Sequence, residues 1–163
     1  MDLSPYRRTE QLTIEAPPGP VYDLVADVSR MGEWSPVCTG GAYDDGDPSW
    51  FTGHNAIGET TWSTRCHVVT ADPGSEFAFS NCGQDGEREL VRWGFRLAAT
   101  GDGGTEVTQS WEVLPGYEDN FVAQGGSLDE LVARLDFMQG LAETGMPATL
   151  DEIRSAAEAH AGG

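Results

Sequence analysis

The sequence predicts an α+β fold in which a curved antiparallel sheet of about seven strands packs against one long C-terminal helix. Two observations predict it. Between Val37 and Leu114, clusters of Gly, Pro and Asp separate runs rich in Thr, Val, Phe and Trp, and several of these runs alternate apolar and polar residues. From Leu128 to Ala157, apolar residues recur at close to helical spacing. Each element then has one apolar face, and the two faces bury each other.

The N-terminal segment predicts one strand followed by one or two short helices. The strand runs from about Arg8 to Ala16, and the prolines that begin at Pro17 end it. The apolar residues of segment 21–28 follow helical spacing, and Pro20 suits a first helical turn. A second short helical turn is predicted at Ser29–Trp34.

The central segment predicts about six strands whose alternation separates an inner from an outer face. In each strand one face is apolar and aromatic, and the other carries Arg, Glu, Thr and Ser. The inner sets are Trp62, Thr64, Cys66 and Val68; Phe77 and Phe79; Val91, Trp93, Phe95 and Leu97; and Val107, Gln109, Trp111 and Val113.

The C-terminal segment predicts one long amphipathic helix. Ser127 and Glu130 have the spacing of a capping box, in which each residue satisfies a backbone amide near the other. The expected buried stripe is Leu128, Leu131, Leu135, Met138, Ala142, Met146, Leu150, Ile153 and Ala157. Pro147 removes one helical hydrogen bond, so we expect a kink near Glu143–Pro147 or a break into two helices, and the unbroken phase favours the kink.

Composition bounds the possible functions. The 163 residues are expected to form a single domain, 1–163, with 27 acids, nine arginines, no lysine and a net charge of −18. The absence of lysine excludes Schiff-base lysine chemistry, and the scarcity of clustered cations argues against nucleic acid as a partner. No apolar run is long enough for membrane insertion and no signal peptide is evident, so a cytoplasmic location is expected. The acidity favours solubility, with adaptation to high salt as an alternative.

The three cysteines predict free thiols. Their number is odd, no Cys-x-x-Cys spacing occurs, and a reducing compartment is expected. If Asp72 pairs with Ser75 across a two-residue turn, Val68 faces Phe79 and Cys66 faces Asn81. Cys82 then points to the opposite face, and a bridge between Cys66 and Cys82 would need a register slip of one residue.

Several motifs, weak singly but in a consistent order along nearly the whole chain, resemble one family. They are Ala16-Pro17-Pro18 with Val21-Tyr22, Leu24-Val25 and Asp27-Val28; Met31-Gly32 with Trp34-Ser35-Pro36; Phe51, Gly53 and Asn55; Trp62, Thr64, Cys66 and Val68; Asp72-Pro73-Gly74 with Phe77 and Phe79; Gly103-Gly104-Thr105 with Val107-Thr108; and Gly145-Met146 with Thr149-Leu150 and Ile153. This pattern resembles the START-like helix-grip superfamily and, within it, the polyketide cyclase/dehydrase (SRPBCC) branch. Family members often carry Glu after the Ser-Pro dipeptide, where this chain has Val37.

The resemblance implies a helix-grip fold with a cavity between sheet and helix for a lipid, sterol, polyketide or similar apolar ligand. Some members catalyse cyclisation or dehydration there. The residues expected to line the space are mostly aromatic or uncharged, which suits an apolar or planar guest. They are Trp34, Phe51, Asn55, Trp62, Thr64, Cys66, Phe79, Trp93, Phe95, Gln109 and Trp111, with Phe137, Met138 and Leu141 reaching it from the helix. The alternative is that these side chains simply fill the core.

Acid–base and metal chemistry have little support in the sequence. His54 and His67 are expected to face solvent, His160 lies in the terminal helical tail, and no Asp or Glu has clear inward parity. No metal cluster, nucleophile elbow or phosphate loop is visible, so no cofactor or metal is expected. An inward-facing titratable group would favour catalysis, and Tyr22, Tyr43 and Arg65 are the residues to check.

Three functional hypotheses follow. The first is a carrier or sensor that binds a small apolar ligand, as a monomer or weak homodimer. The second is an enzyme of the polyketide cyclase or dehydratase type, in which Asn, Gln or Thr donors stabilise an enolate without metal or cofactor. The third is an interaction protein of the toxin type, for which an exposed apolar patch would be the sign.

Overall fold

The computed structural model describes residues 1–162. The chain begins with β1 (Arg7–Ile14), helix α1 (Pro18–Ala26) and a 3₁₀ helix (Val28–Glu33). Six strands follow: β2 (Cys38–Asp44), β3 (Asp47–Ile57), β4 (Thr60–Asp72), β5 (Glu76–Asn81), β6 (Val91–Ala99) and β7 (Thr105–Val113). Helices α2 (Gly116–Ala123) and α3 (Leu128–Ala161) complete it. The predicted seven strands, the short helices after β1 and the long C-terminal helix are confirmed.

The seven strands form one curved antiparallel sheet in the order β1-β7-β6-β5-β4-β3-β2. The strand β1 pairs with β7, so the two ends of the strand region meet in the sheet. Helix α3 packs mainly against β1, β7 and α1, whereas α1 packs against β5 and β6. The two helices therefore cover the inner face from different sides.

Helix α3 begins at the predicted capping box. The Ser127 hydroxyl accepts from the Glu130 amide at 3.3 Å, and the Glu130 carboxylate accepts from the Ser127 amide at 2.8 Å. The predicted stripe is buried along most of the helix, but Leu128, at its first position, is 57% exposed and does not belong to the core. Leu131, three residues later, is the first stripe residue that is buried.

Pro147 lies within α3, and the helix continues through it, so the alternative of two separate helices is wrong. The proline nitrogen cannot donate to the carbonyl one turn earlier, and a bend at this point stays a prediction. Although α3 has 34 residues, no helix among the described residues is both long and apolar enough to cross a membrane.

Helix α2 is the element that the sequence analysis missed. Its apolar residues Tyr117 and Phe121 are only one turn apart, too short a pattern to establish helical periodicity. Two helix signals were present, because Pro115 immediately precedes it and Glu118 and Asp119 lie in its first turn.

The hairpin of β4 and β5 has the predicted pairing on its inner face, but its turn and one of its strands differ from the prediction. Val68 faces Phe79 and Cys66 faces Asn81, as predicted, but Asp72 pairs with Glu76 and not with Ser75. The turn is one residue longer, and an irregularity between Val68 and Thr70 places one extra residue in β4. The two offsets cancel before Phe79, so the inner-face side chains keep their predicted orientation.

Gly140→Ala is expected to raise the free energy of unfolding by about 0.5–1 kcal/mol, because glycine weakens a helix interior. A methyl group at Gly140 would meet no heavy atom within 4 Å. The measurement is urea denaturation followed by tryptophan fluorescence. At Gly145, in the same helix, a methyl group would lie 3.2 Å from Pro36 Cγ, so Gly145→Ala should gain less or lose stability. Equal gains at both positions would contradict the close approach of Pro36.

Candidate functional site

The candidate site is the inner face of the sheet together with the facing side of α3. Of the predicted site residues, most are buried there and four are partly exposed. The buried ones are Trp34, Phe51, Thr64, Cys66, Phe79, Phe95, Gln109 and Trp111, and the partly exposed ones are Asn55, Trp62, Trp93 and Met138. The inner face is therefore aromatic and carries few polar groups, as the alternation predicted.

Two predicted site residues lie elsewhere. Phe137 is 52% exposed and Leu141 is 36% exposed, so the expectation that they reach the space between sheet and helix is wrong. Both lie on the side of α3 that turns away from its buried stripe. Phe137 instead lines a groove between α2 and α3.

The buried apolar residues divide into two clusters. The first joins α1, the centre of the sheet and the C-terminal half of α3, including Phe51, Phe95 and Ile153. The second joins the N-terminal half of α3 to the ends of β6 and β7, including Leu135 and Trp111. Trp93 packs against both clusters and stays partly exposed.

The boundary between the clusters is marked by one residue on each of three elements, which we call the seam: Trp93, Gln109 and Thr149. On β7, Gln109 separates Val107 of the first cluster from Trp111 of the second. On α3, the buried Thr149 separates Met146 of the second cluster from Leu150 of the first. A polar residue thus divides the buried apolar residues of β7 and of α3, and Trp93 of β6 packs against both clusters.

Gln109 carries an unsatisfied acceptor. Its side chain is 3% exposed, and its Oε1 atom is buried without a hydrogen-bond partner among the described residues. A buried amide oxygen without a partner costs about 1–3 kcal/mol relative to one that is bonded. Such a group is retained at a cost to stability, and it can accept a hydrogen bond from a molecule that enters the seam.

Three other inward polar groups, Asn55, Thr64 and Cys66, contact one another. Asn55 Nδ2 lies 3.5 Å from Thr64 Oγ1, which lies 3.7 Å from Cys66 Sγ. Burial raises the pKa of the Cys66 thiol to about 12, so it stays protonated at neutral pH. The three thiols are free, with Cys66 on the inner face and Cys82 buried beyond the end of β5.

Of the three groups to check for catalysis, Tyr43 and Arg65 have hydrogen-bond partners and Tyr22 is buried in the core. The Tyr43 hydroxyl donates to the Ala26 carbonyl at 2.8 Å, and burial raises the pKa of Tyr43 to about 12. Tyr22 is buried against the edge of Phe77, and burial raises the pKa of its phenol as well. Arg65 alternates with the inward Thr64 and Cys66, and it forms a two-point ion pair with Asp44 at 2.7–2.8 Å.

One carboxylate does have inward parity, contrary to the sequence analysis. In β1, Arg8 and Glu10 lie on the same, more buried side as Leu12 and Ile14, and Glu10 pairs across the ladder with Gln109. Arg8 Nε donates to Glu10 Oε1 at 2.7 Å, so the positive charge of Arg8 compensates the negative charge of Glu10 at the sheet edge. The signal was present, because the alternation that ends at Ile14 extends back to Arg8.

The groove between α2 and α3 was not foreseen, since it depends on the missed helix. Its volume is about 780 Å³. Its wall includes Leu90, Tyr117, Phe121 and Phe137, and Arg134 and Glu130 stand at its polar side. Gly126 makes the wall possible, because a methyl group at this position would overlap the Phe121 ring.

The sheet, the long helix across it and the aromatic inner face define a protein of the START-like helix-grip class. A START superfamily protein from Mycobacterium smegmatis is similar in structure, with 14% identity, a TM-score of 0.62, and coverage of 93% of this chain and 97% of that one. The Zhui aromatase/cyclase from Streptomyces sp. R1128 has 18% identity, a TM-score of 0.61 and coverage of 93% of each chain. At these identities the likeness shows the fold alone.

The chain belongs to the family described as polyketide cyclase/dehydrase and lipid transport, whose model matches residues 7–158. The Polyketide_cyc-like protein Cgl2372 from Corynebacterium glutamicum is 33% identical over 95% of this chain and 93% of that one, with a TM-score of 0.68. None of the curated proteins compared with the chain matches it. The predicted resemblance to the polyketide cyclase/dehydrase branch is confirmed.

Proposed function

We propose that this protein binds a small apolar ligand, of the lipid, sterol or polyketide type, between the inner face of the sheet and α3, and acts as a carrier or sensor. The observation that carries the proposal is the seam. There polar residues divide the buried apolar residues of β7 and of α3, Trp93 is partly exposed, and the Gln109 oxygen has no partner. An apolar ligand that also donates one hydrogen bond would cover the exposed part of Trp93 and satisfy the Gln109 oxygen.

Two further features support this proposal. The inner face offers aromatic surfaces from neighbouring strands, with the Trp93 and Trp111 ring centroids 6.5 Å apart. Its polar groups at the seam are uncharged, so a neutral ligand surface can approach without burying an unpaired charge. The family's description, which includes lipid transport, agrees with a ligand of this class.

The cyclase or dehydratase alternative rests on the fold shared with the Zhui aromatase/cyclase. The chain's own residues give it less support, because Tyr43 and Arg65 are engaged with partners and burial raises the pKa of Tyr22. Catalysis would then depend on hydrogen-bond donors that stabilise an enolate. Conversion of a linear polyketide to a cyclised product by the purified protein would favour this alternative.

The first test is native mass spectrometry of the purified protein, followed by organic extraction and identification of any bound molecule. A stoichiometric apolar molecule would support the proposal. A panel of fatty acids, sterols and aromatic polyketides is then added to the empty protein, with tryptophan fluorescence as the readout. An empty protein that takes up no member of this panel would contradict the proposal and favour a core filled by its own side chains.

Gln109→Leu is expected to raise the free energy of unfolding by about 1 kcal/mol, because it removes an unsatisfied buried acceptor at similar volume. The same change should weaken the binding of any ligand that donates a hydrogen bond to this oxygen. Urea denaturation and fluorescence titration measure the two effects. The control is Gln11→Leu, an exposed position on β1 that should leave both quantities unchanged. A destabilised Gln109→Leu protein with undiminished ligand affinity would contradict this role of Gln109.

A further inference from the structure

The groove between α2 and α3 has the size of a small-molecule site. Its volume of about 780 Å³ falls within the range of about 300–1,000 Å³ that is usual for ligand pockets. One wall is apolar and aromatic, with Phe121 from α2 and Phe137 from α3. Because Phe137 is 52% exposed, the groove leaves a large aromatic surface without a protein partner.

Arg134 is the cation of this groove. Five of the nine arginines form ion pairs with acids, namely Arg8, Arg30, Arg65, Arg92 and Arg154. Among residues 1–162, no acid lies within 4.0 Å of Arg134 even though acids outnumber arginines three to one. Its guanidinium therefore remains available to a ligand.

Glu130, the acid of the same groove, is already engaged. One of its carboxylate oxygens accepts from both the amide and the hydroxyl of Ser127 at 2.8 Å. These hydrogen bonds hold the pKa of Glu130 below its usual value, so the carboxylate stays ionised and bound to the helix N-terminus. Glu130 keeps its negative charge, so a ligand carboxylate must approach Arg134 from the side away from Glu130, and Arg134 is the group that can attract it.

The groove lies beside the proposed ligand space. Arg134 and Met138 are four residues apart on α3, so they are neighbours on one face, one helical turn apart. Met138 and Trp93 pack against the second apolar cluster, and so do Tyr117 and Phe121 of the groove. An apolar body with its head at Arg134 can therefore lie against Met138, which packs against the same apolar cluster as Trp93.

We propose that this groove binds the carboxylate of an amphiphilic monocarboxylic acid, with Arg134 as its two-point partner and the apolar body directed towards Met138 and Trp93. This inference rests on the proposed function and names the chemical class of its ligand. A planar guanidinium matches a carboxylate with two parallel hydrogen bonds. A single negative charge also limits repulsion from a protein of net charge −18.

The test compares two pairs of probes at physiological salt, where the Debye length is about 8 Å and the distant acids are screened. The pairs are dodecanoic acid with methyl dodecanoate, and naphthoic acid with its methyl ester. Isothermal titration calorimetry measures their affinities for the wild type, Arg134→Gln and Arg134→Lys. Each acid should bind the wild type about tenfold or more tightly than its ester, since hydrogen bonds to charged groups are the strong ones. Arg134→Gln should remove this preference, and Arg134→Lys should keep part of it.

The matched control is Arg96→Gln. Arg96 is exposed on β6, forms no ion pair among the described residues, and its replacement changes the net charge by the same amount. It should bind both probes of each pair like the wild type. If acids and esters bind equally well and Arg134→Gln changes neither, the role of Arg134 is overturned while the proposed function stands. If neither probe of either pair binds, the ligand class is overturned, and uptake of sterols or polyketides decides the proposed function separately.

Discussion

Leu135→Ala is expected to lower the free energy of unfolding by about 2–5 kcal/mol, the usual cost of replacing a buried leucine with alanine. Leu135 is fully buried in α3 and belongs to the second apolar cluster with Trp111 and Met146. Its removal leaves a cavity between the helix and the sheet that neighbouring side chains fill only partly. The measurement is urea denaturation with tryptophan fluorescence and circular dichroism as separate probes.

The matched control for this substitution is Leu128→Ala in the same helix. Leu128 is 57% exposed, so its truncation should change stability by less than about 0.5 kcal/mol. Similar losses at the two positions would show that α3 does not pack on the sheet through the stripe described above.

Gly32→Ala is expected to destabilise the protein by about 1–3 kcal/mol, the range seen when atoms are forced into a packed site. The 3₁₀ helix passes so close to β2 that a methyl group at Gly32 would overlap the Thr39 carbonyl oxygen, with the carbonyl carbon 2.8 Å away. The obstacle is backbone, so a side-chain rotation cannot relieve it. The edge strand or the 3₁₀ helix must shift, and hydrogen exchange should show loss of protection in residues 38–44.

Gly19→Ala is the comparison for this change. A methyl group at Gly19 meets nothing within 4 Å, and the residue lies in the first turn of α1, so stability should be unchanged or slightly higher. A tolerated Gly32→Ala, with full protection of β2, would be inconsistent with the close approach of the 3₁₀ helix and strand.

The sheet could be predicted from the sequence because strand alternation is local information. Thr64 and Cys66 alternate with Ser63 and Arg65, and the burial of these four side chains follows that order. The start of α3 was equally accessible, since the capping box is a four-residue pattern with a defined hydrogen-bond geometry. These features could be predicted because the residues that cause each of them lie within a few positions of one another in the sequence.

The groove could not be predicted in the same way, and the prediction for Phe137 and Leu141 was wrong for a different reason. The groove depends on α2, which carries only a weak sequence pattern. Phe137 and Leu141 lie outside the periodic stripe of α3, so the periodicity itself argued against placing them in the space between sheet and helix. The unsatisfied acceptor of Gln109 likewise depends on tertiary structure, because it arises where no neighbouring residue donates a hydrogen bond to Oε1.

The hairpin of β4 and β5 has a consequence for aligning this chain with its relatives. An extra residue near Val69 and a turn one residue longer than two cancel each other before Phe79. A relative of equal length with a regular strand and a two-residue turn would keep the pairing of Val68 with Phe79, so each side chain beyond the hairpin would occupy the same place. An alignment without gaps would nevertheless match each of residues 70–72 with a residue that lies one pair nearer the turn in the relative. Equivalent residues in this hairpin are therefore to be assigned by superposition, with a single gap at Val69 and a compensating single gap at the turn.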